Sequence, residues 1–261
     1  MTGIVTYPLL DQFLGLVHFT TTRHGGVSSG NYTSFNLSFY SGDDTGSVCE
    51  NRALLCRDLD FMPEHLVVPF QTHGIQIKKI DKFFLSQNNS FKEEYLHGVD
   101  GLFTNERGVC IGITTADCVP LFFYDEELRV IGVAHAGWRG TCGKIAEQML
   151  FLMEKEYGTL RQNVSVLIGP SISGEKYEVG DELFYEFEQK GFPVECLFRC
   201  KDGKLYLDLW EANRWLLLQN GIRQDKIDIA GICTYTQYQD FFSARRLGIE
   251  SGRMLSGLML R

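Results

Sequence analysis

The stretch TTADCVPLFFYDEELRVIGVAHAGWRGT, from Thr114 to Thr141, constrains the fold more than any other part of the chain. It holds two apolar runs rich in β-branched and aromatic residues, Val119 to Tyr124 and Val130 to Ala134, and a third, Val109 to Thr114, precedes them. Such runs broken by short polar turns read as successive strands of a sheet. A glycine-rich turn then leads at Thr141 into a helical repeat with Ile145, Met149 and Met153 on one side.

The same signals predict strands over Leu16 to Thr22, Leu66 to Phe70, Ile75 to Ile80, Val164 to Ile168 and Ile227 to Ile232. A helix is expected after Asp44-Thr45, carrying Val48, Leu55 and Leu59. Another is expected from Asp208 to Asn220, stopped by Gly221. LIGPSISGEKYEVGDELF reads as strand, glycine-rich loop and helix with Asp181 near its start, whereas Ser86 to His97 is polar enough to be a surface excursion. Six prolines and no Ser/Gly/Pro-rich tract leave no linker, so residues 1–261 read as one domain of mixed α/β (α+β) class.

Composition narrows the function. Hydrophobic residues at 44% and charged residues at 22% are those of a globular protein. The net charge of -8, with basic residues scattered, lacks the footprint of a nucleic-acid binder and favours a small-molecule partner. MTGIVTYPLL has no basic n-region followed by a long apolar run, and no segment approaches the roughly 18 apolar residues of a membrane span, so a cytoplasmic protein is expected. Eight cysteines without a Cys-x-x-Cys pair argue for reduced thiols rather than a disulfide framework. Oligomeric state has no signature here.

Cys118 and His135 each fall near a strand end, and His73 in PFQTHGIQI sits at another junction. Two histidines and a cysteine suit zinc, with a fourth position left open as in catalytic sites. The same pair also fits a Cys118 nucleophile with His135 as base and Asp117 or a carbonyl orienting the ring, and that arrangement has no use for His73. A buried histidine satisfied by one hydrogen bond is the bland alternative to both. In AGWRGT the amides of Gly140, Thr141 and Cys142 at a helix start, with Arg139 beside them, suit an anion; taken alone, a plain tight turn with Arg139 paired to a surface carboxylate is the better account of the sequence.

Gly26-Val27-Ser28-Ser29-Gly30 matches the nucleophile-elbow pattern, but no helical period follows, so the match is rejected. Arg23, His24, Asn36 and Gln71 are candidate substrate contacts, and Arg245, Arg246 and Arg253 form an arginine-rich C-terminal segment able to meet an anion or solvent.

Taken in order, TTRHGG, GDD with ENR, QTHG, DGLFT, TADCVP, HAGWRGT, IGPSI with YEVG, and SARR with SGR resemble the YfiH-like family, also called the multicopper polyphenol oxidase or laccase domain. The blocks run from Thr20 to Arg253. The resemblance implies a metal site on His73, Cys118 and His135, with zinc the usual metal. It implies a purine nucleoside phosphorylase acting on adenosine, inosine and methylthioadenosine with phosphate, and deaminating adenosine. Some bacterial members are instead assigned as peptidoglycan editing factors. The implied fold is a central β-sandwich of mixed sheets flanked by helices, related to deamidating bacterial toxins that use a Cys and a His, which keeps a cysteine amidohydrolase as the alternative function. A non-catalytic regulatory role is a third. Arg139 is expected to hold phosphate, and Asp117 to move a proton or orient a ligand.

The laccase label fits the chemistry poorly: a trinuclear copper cluster is typically held by His-x-His pairs, and the six histidines here include none. Copper on this donor set would be adventitious. Two positions depart from the family pattern, Ala244 where tyrosine is common and Ser171 where cysteine is common.

Overall fold

Burial along the strands sets the layering. Every residue of Val119–Asp125 and of Val130–Ala136 is buried, so these strands form the interior of a sheet covered on both faces. The computed structural model describes residues 3–261. Its larger sheet runs Ile227–Ile229, Val164–Ile168, Val119–Asp125, Val130–Ala136, Gly101–Thr104, Ile77–Lys79, with antiparallel inner pairs and a parallel pair at each edge. A five-stranded sheet, also mixed, runs Ile4–Val5, Leu16–Thr21, Met254–Leu260, Cys110–Thr115, Leu66–Val67. A small antiparallel sheet joins Glu178–Val179, Lys204–Leu207 and Phe198–Lys201.

Alternation of side chains gives each strand two jobs. Ile111, Ile113 and Leu258 from the five-stranded sheet meet Phe122, Ile131 and Val133 from the six-stranded one, so the two stack face to face. The opposite side of the six-stranded sheet presents Leu121, Phe123 and Ala134 to Ile145, Met149 and Met153 of helix Ile145–Tyr157, and to Leu216 and Leu217 of helix Leu209–Gln219. Helix Thr45–Asp58 covers the other outer face, with Leu55 against Phe19 and Leu255. Each large apolar side chain buried this way stabilises by about 1.5–3 kcal/mol. Asp44 and Asp208 cap their helices by accepting from the Ser47 amide and from the Trp210 and Glu211 amides.

The mixed α/β class is the one expected, and several boundaries differ. The helix expected to open at Thr141 is two helices, Trp138–Cys142 and Ile145–Tyr157, broken where Lys144 adopts φ 62°. Within the polar stretch expected as an excursion, Asn89–Leu96 is helical, capped by Asn88 and without a buried residue, which is why its sequence reads as surface. The strands expected over Leu66 to Phe70 and Ile75 to Ile80 shrink to Leu66–Val67 and Ile77–Lys79. No helix among the described residues is long and apolar enough to cross a membrane.

Candidate metal centre

Register brings the chemistry to one end of the six-stranded sheet. Val119 pairs with Ala136 and Gly101 with Ala134 in antiparallel ladders, so the residues one step further, Cys118 beside Gly137 and Asp100 beside His135, meet at the same edge. His73 arrives on the loop that precedes Ile77–Lys79, itself paired in parallel with Gly101–Thr104. Three chain segments therefore converge, and a ligand atom from each of His73, Cys118 and His135 lies within 4.8 Å of the others. His73 is exposed, Cys118 half-buried and His135 buried, so the cluster opens on the His73 side.

The donor set fits a metal. Tetrahedral zinc holds nitrogen and sulfur ligands about 3.4–3.6 Å apart, given its bond lengths. A modest closure of the three side chains reaches that spacing. His135 Nδ1 is engaged by Asp100 Oδ1 at 2.8 Å, which leaves Nε2 as the ligand atom. Asp100, which the sequence reading passed over inside DGLFT, is fully buried.

Charge is concentrated here. Burial alone would raise the Cys118 thiol, but the charge of His135 and hydrogen bonds to His135 and His73 outweigh it and bring the thiol down to about 6. Burial likewise lowers His135, yet the Cys118 charge and the Asp100 hydrogen bond carry it up to about 9. Burial pushes Asp100 up, and its bonds to His135 and to loop amides more than reverse that, so it is held below the usual carboxylate range. Without metal the arrangement favours a thiolate beside an imidazolium backed by a carboxylate.

The cluster forms part of the wall of a cavity of about 670 Å³, which also holds Tyr40, Trp138, Tyr177, Arg139 and Arg245. A second cavity, of about 640 Å³ around Asp208, Trp210 and Cys233, contains none of the three.

Other expected site residues divide. Arg139 is exposed on the cavity wall and stacks on Trp138 at 4.2 Å. The adjacent helix begins at Trp138, earlier than expected; the Thr141 amide is spent on the Gly137 carbonyl at 2.8 Å, and Cys142 closes the helix, so neither amide is free for an anion. Asp117 lines the cavity, but its carboxylate accepts from Thr234 Oγ1 and from the Arg245 amide, both at 2.7 Å, and Asp100 takes the orienting place on His135. Gln71 also lines the cavity while clamping Thr114 through both ends of its amide.

Arg23 and Asn36 lie outside the cavity wall. Arg23 donates to the Thr33 and Tyr238 carbonyls, and Asn36 is fully buried among Ser38, Ser41, Asp43 and the Arg253 amide, so both tie loops together. His24 pairs with Asp240 at 2.9 Å. Ser28 donates to Asp43, and the short 3-10 helix Gly30–Tyr32 follows in place of the α-helix that an elbow needs. Of the arginine-rich segment, Arg245 and Arg253 reach the cavity, and Arg246 stacks with Tyr235 and Tyr238. Ala244 lines the cavity; Ser171 is buried elsewhere, bonded to Trp210.

A mixed α/β chain with a His-Cys-His cluster opening on a cavity defines a protein with a candidate metal site beside a cavity of small-molecule size. Residues 17–261 match the family described as multi-copper polyphenol oxidoreductase laccase, and the chain belongs to that family. It is 46% identical to a purine nucleoside phosphorylase of Bacteroides thetaiotaomicron, over 97% of this chain and 95% of that protein. It is 38% identical to adenosine deaminase RL5 from an unknown prokaryotic organism, over 94% of each chain. Its fold is similar to that of YlmD from Geobacillus stearothermophilus, with a TM-score of 0.90 at 36% identity, covering 99% of this chain and 96% of that one. It is also similar to the YfiH hypothetical protein of Bacillus licheniformis, with a TM-score of 0.92 at 29% identity, covering 100% of this chain and 97% of that one.

Proposed function

We propose that residues 1–261 act as one catalytic unit, a zinc-dependent purine nucleoside enzyme. It would cleave adenosine, inosine or methylthioadenosine with phosphate and also deaminate adenosine. The observation that carries this reading is the three-ligand cluster, open on one side to a cavity large enough for a nucleoside. Relatives named purine nucleoside phosphorylase and adenosine deaminase support the substrate class.

His73, Cys118 and His135 would hold the metal. Zinc there supplies Lewis-acid polarisation and acidifies water. In phosphorolysis a phosphate oxygen attacks the ribose carbon as its bond to the base breaks, and the departing base takes up a proton. Arg139 holds the phosphate by charge-assisted hydrogen bonds, and the aromatic rings of Trp138, Tyr177 and Tyr40 offer flat walls to the base. In deamination water adds to the carbon bearing the amino group and ammonia leaves. Copper competes for the same donors and is not needed for either reaction.

Chromatographic product analysis of the protein with adenosine and phosphate, beside Cys118→Ala, tests this. Adenine with ribose 1-phosphate, or inosine, from the wild type alone supports it. Absence of product from both proteins refutes it.

One observation favours a second reading: the Cys118 thiol brought down to about 6, with His135 oriented by Asp100, is also the arrangement of a cysteine nucleophile and its base. A cysteine amidohydrolase editing peptidoglycan precursors would lose activity to iodoacetamide and keep it in the presence of chelators.

A further inference from the structure

Asp100 is the last residue before strand Gly101–Thr104, and its carboxylate lies fully buried with four N–H donors around it. One donor is His135 Nδ1, at 2.8 Å from Oδ1. The others are consecutive backbone amides: Thr72 at 3.2 Å and Gly74 at 2.7 Å to Oδ2, and His73 at 3.0 Å to Oδ1. A run of successive amides curled round one anion is a nest, and His73 adopts φ 61° inside it, a backbone region that side-chain-bearing residues seldom enter. The His135 amide in turn donates to the Asp100 carbonyl at 2.7 Å. Both histidines of the cluster are thus referred to one residue, His73 through the shape of its loop and His135 through its ring and its backbone.

We propose that Asp100 is the positioning residue of the metal site, a single carboxylate that sets the spacing between the two histidines and keeps the His135 proton on Nδ1, so that Nε2 is the atom offered to a metal. This deepens the zinc reading and rests on it. Loss of the carboxylate would release both histidines together. Geometry gives a reason why substitution is not neutral even when size is kept: an asparagine turns its NH₂ toward donors that need an acceptor. Asp100 is fully buried and does not line the cavity, so its influence passes through the ligands.

The test compares zinc affinity, by chelator competition, and the visible spectrum of the cobalt(II) form in wild type and Asp100→Asn, with far-UV circular dichroism to confirm the fold. The expected result is a folded variant whose zinc affinity drops by about tenfold to a hundredfold, with an altered cobalt spectrum. A folded variant with wild-type affinity and spectrum overturns the proposal while leaving the zinc reading intact, and a wild type that binds no zinc overturns both. Should Asp100→Asn fail to fold, imidazole ¹⁵N spectra of zinc-loaded wild type decide. A His135 proton on Nδ1, shifted far downfield by the carboxylate, supports the proposal, and a proton on Nε2 overturns it.

Discussion

Gly137 and Cys118 face each other across the end of two antiparallel strands so closely that a Cβ on Gly137 would stand 2.8 Å from the Cys118 sulfur. Gly137 itself has φ -63° and ψ 177°, a conformation open to any residue, so the glycine is there for proximity and not for backbone freedom. Gly137→Ala should therefore fold and melt near the wild type while displacing the thiol. Zinc content after dialysis, measured by atomic absorption, is expected to fall well below one per chain. Full zinc occupancy would show that the thiol has room to move without loss of binding.

In the metal-free protein, alkylation of Cys118 by iodoacetamide should rise with pH and level off above about 6, where the thiolate is already formed. An ordinary thiol continues to rise to about 8.5. The sign follows from which form is favoured: His135 stabilises the anion, so the reactive form persists to lower pH. Peptide mapping separates Cys118 from the other seven cysteines. A Cys118 rate that climbs to pH 8.5 would contradict the thiolate–imidazolium pair, and zinc loading should slow the reaction at every pH.

Asp117 was expected to take part in chemistry, and its contacts describe a brace. Asp117→Ala strands the part-buried Arg245 amide and the buried Thr234 hydroxyl, and the hydroxyl left without its partner costs about 1–3 kcal/mol. A lowered melting temperature with zinc content unchanged is the expected result. A variant that melts like the wild type yet loses turnover would support the proton-transfer role.

Arg139 is exposed and stacks on its neighbour Trp138, so Arg139→Ala should leave the melting temperature within a degree or two, as ordinary surface substitutions do. Loss of a charge-assisted contact worth about 1.5–3 kcal/mol predicts a phosphate KM raised about tenfold or more in phosphorolysis. An unchanged phosphate KM would remove Arg139 from the anion site.

The strands that build the centre were legible because both of their faces are apolar: Val119–Asp125 and Val130–Ala136 carry unbroken hydrophobic runs, and their ends mark Cys118 and His135. Strand Met254–Leu260, central in the five-stranded sheet, was not, because its run holds Ser256 and Gly257 and follows an arginine-rich segment. Gly257 is required there, since a Cβ would stand 2.7 Å from the Phe19 ring, a fact written in another strand. Asp100 escaped for a similar reason. An aspartate before a short strand reads as a turn residue, and only the Gly101 to Ala134 register reveals His135 beside it. Asn36 and Arg23 misled in the opposite direction, because polar residues in a loop look available until their partners within the fold are known.

Metal dependence is the measurement that bears most directly on the account. The protein, stripped with a chelator and then restored with zinc, is assayed with adenosine and phosphate by chromatography of the products. Turnover that disappears on stripping and returns with zinc is the predicted result. Turnover that persists in fully metal-free protein would contradict a metal centre at His73, Cys118 and His135 as the basis of activity.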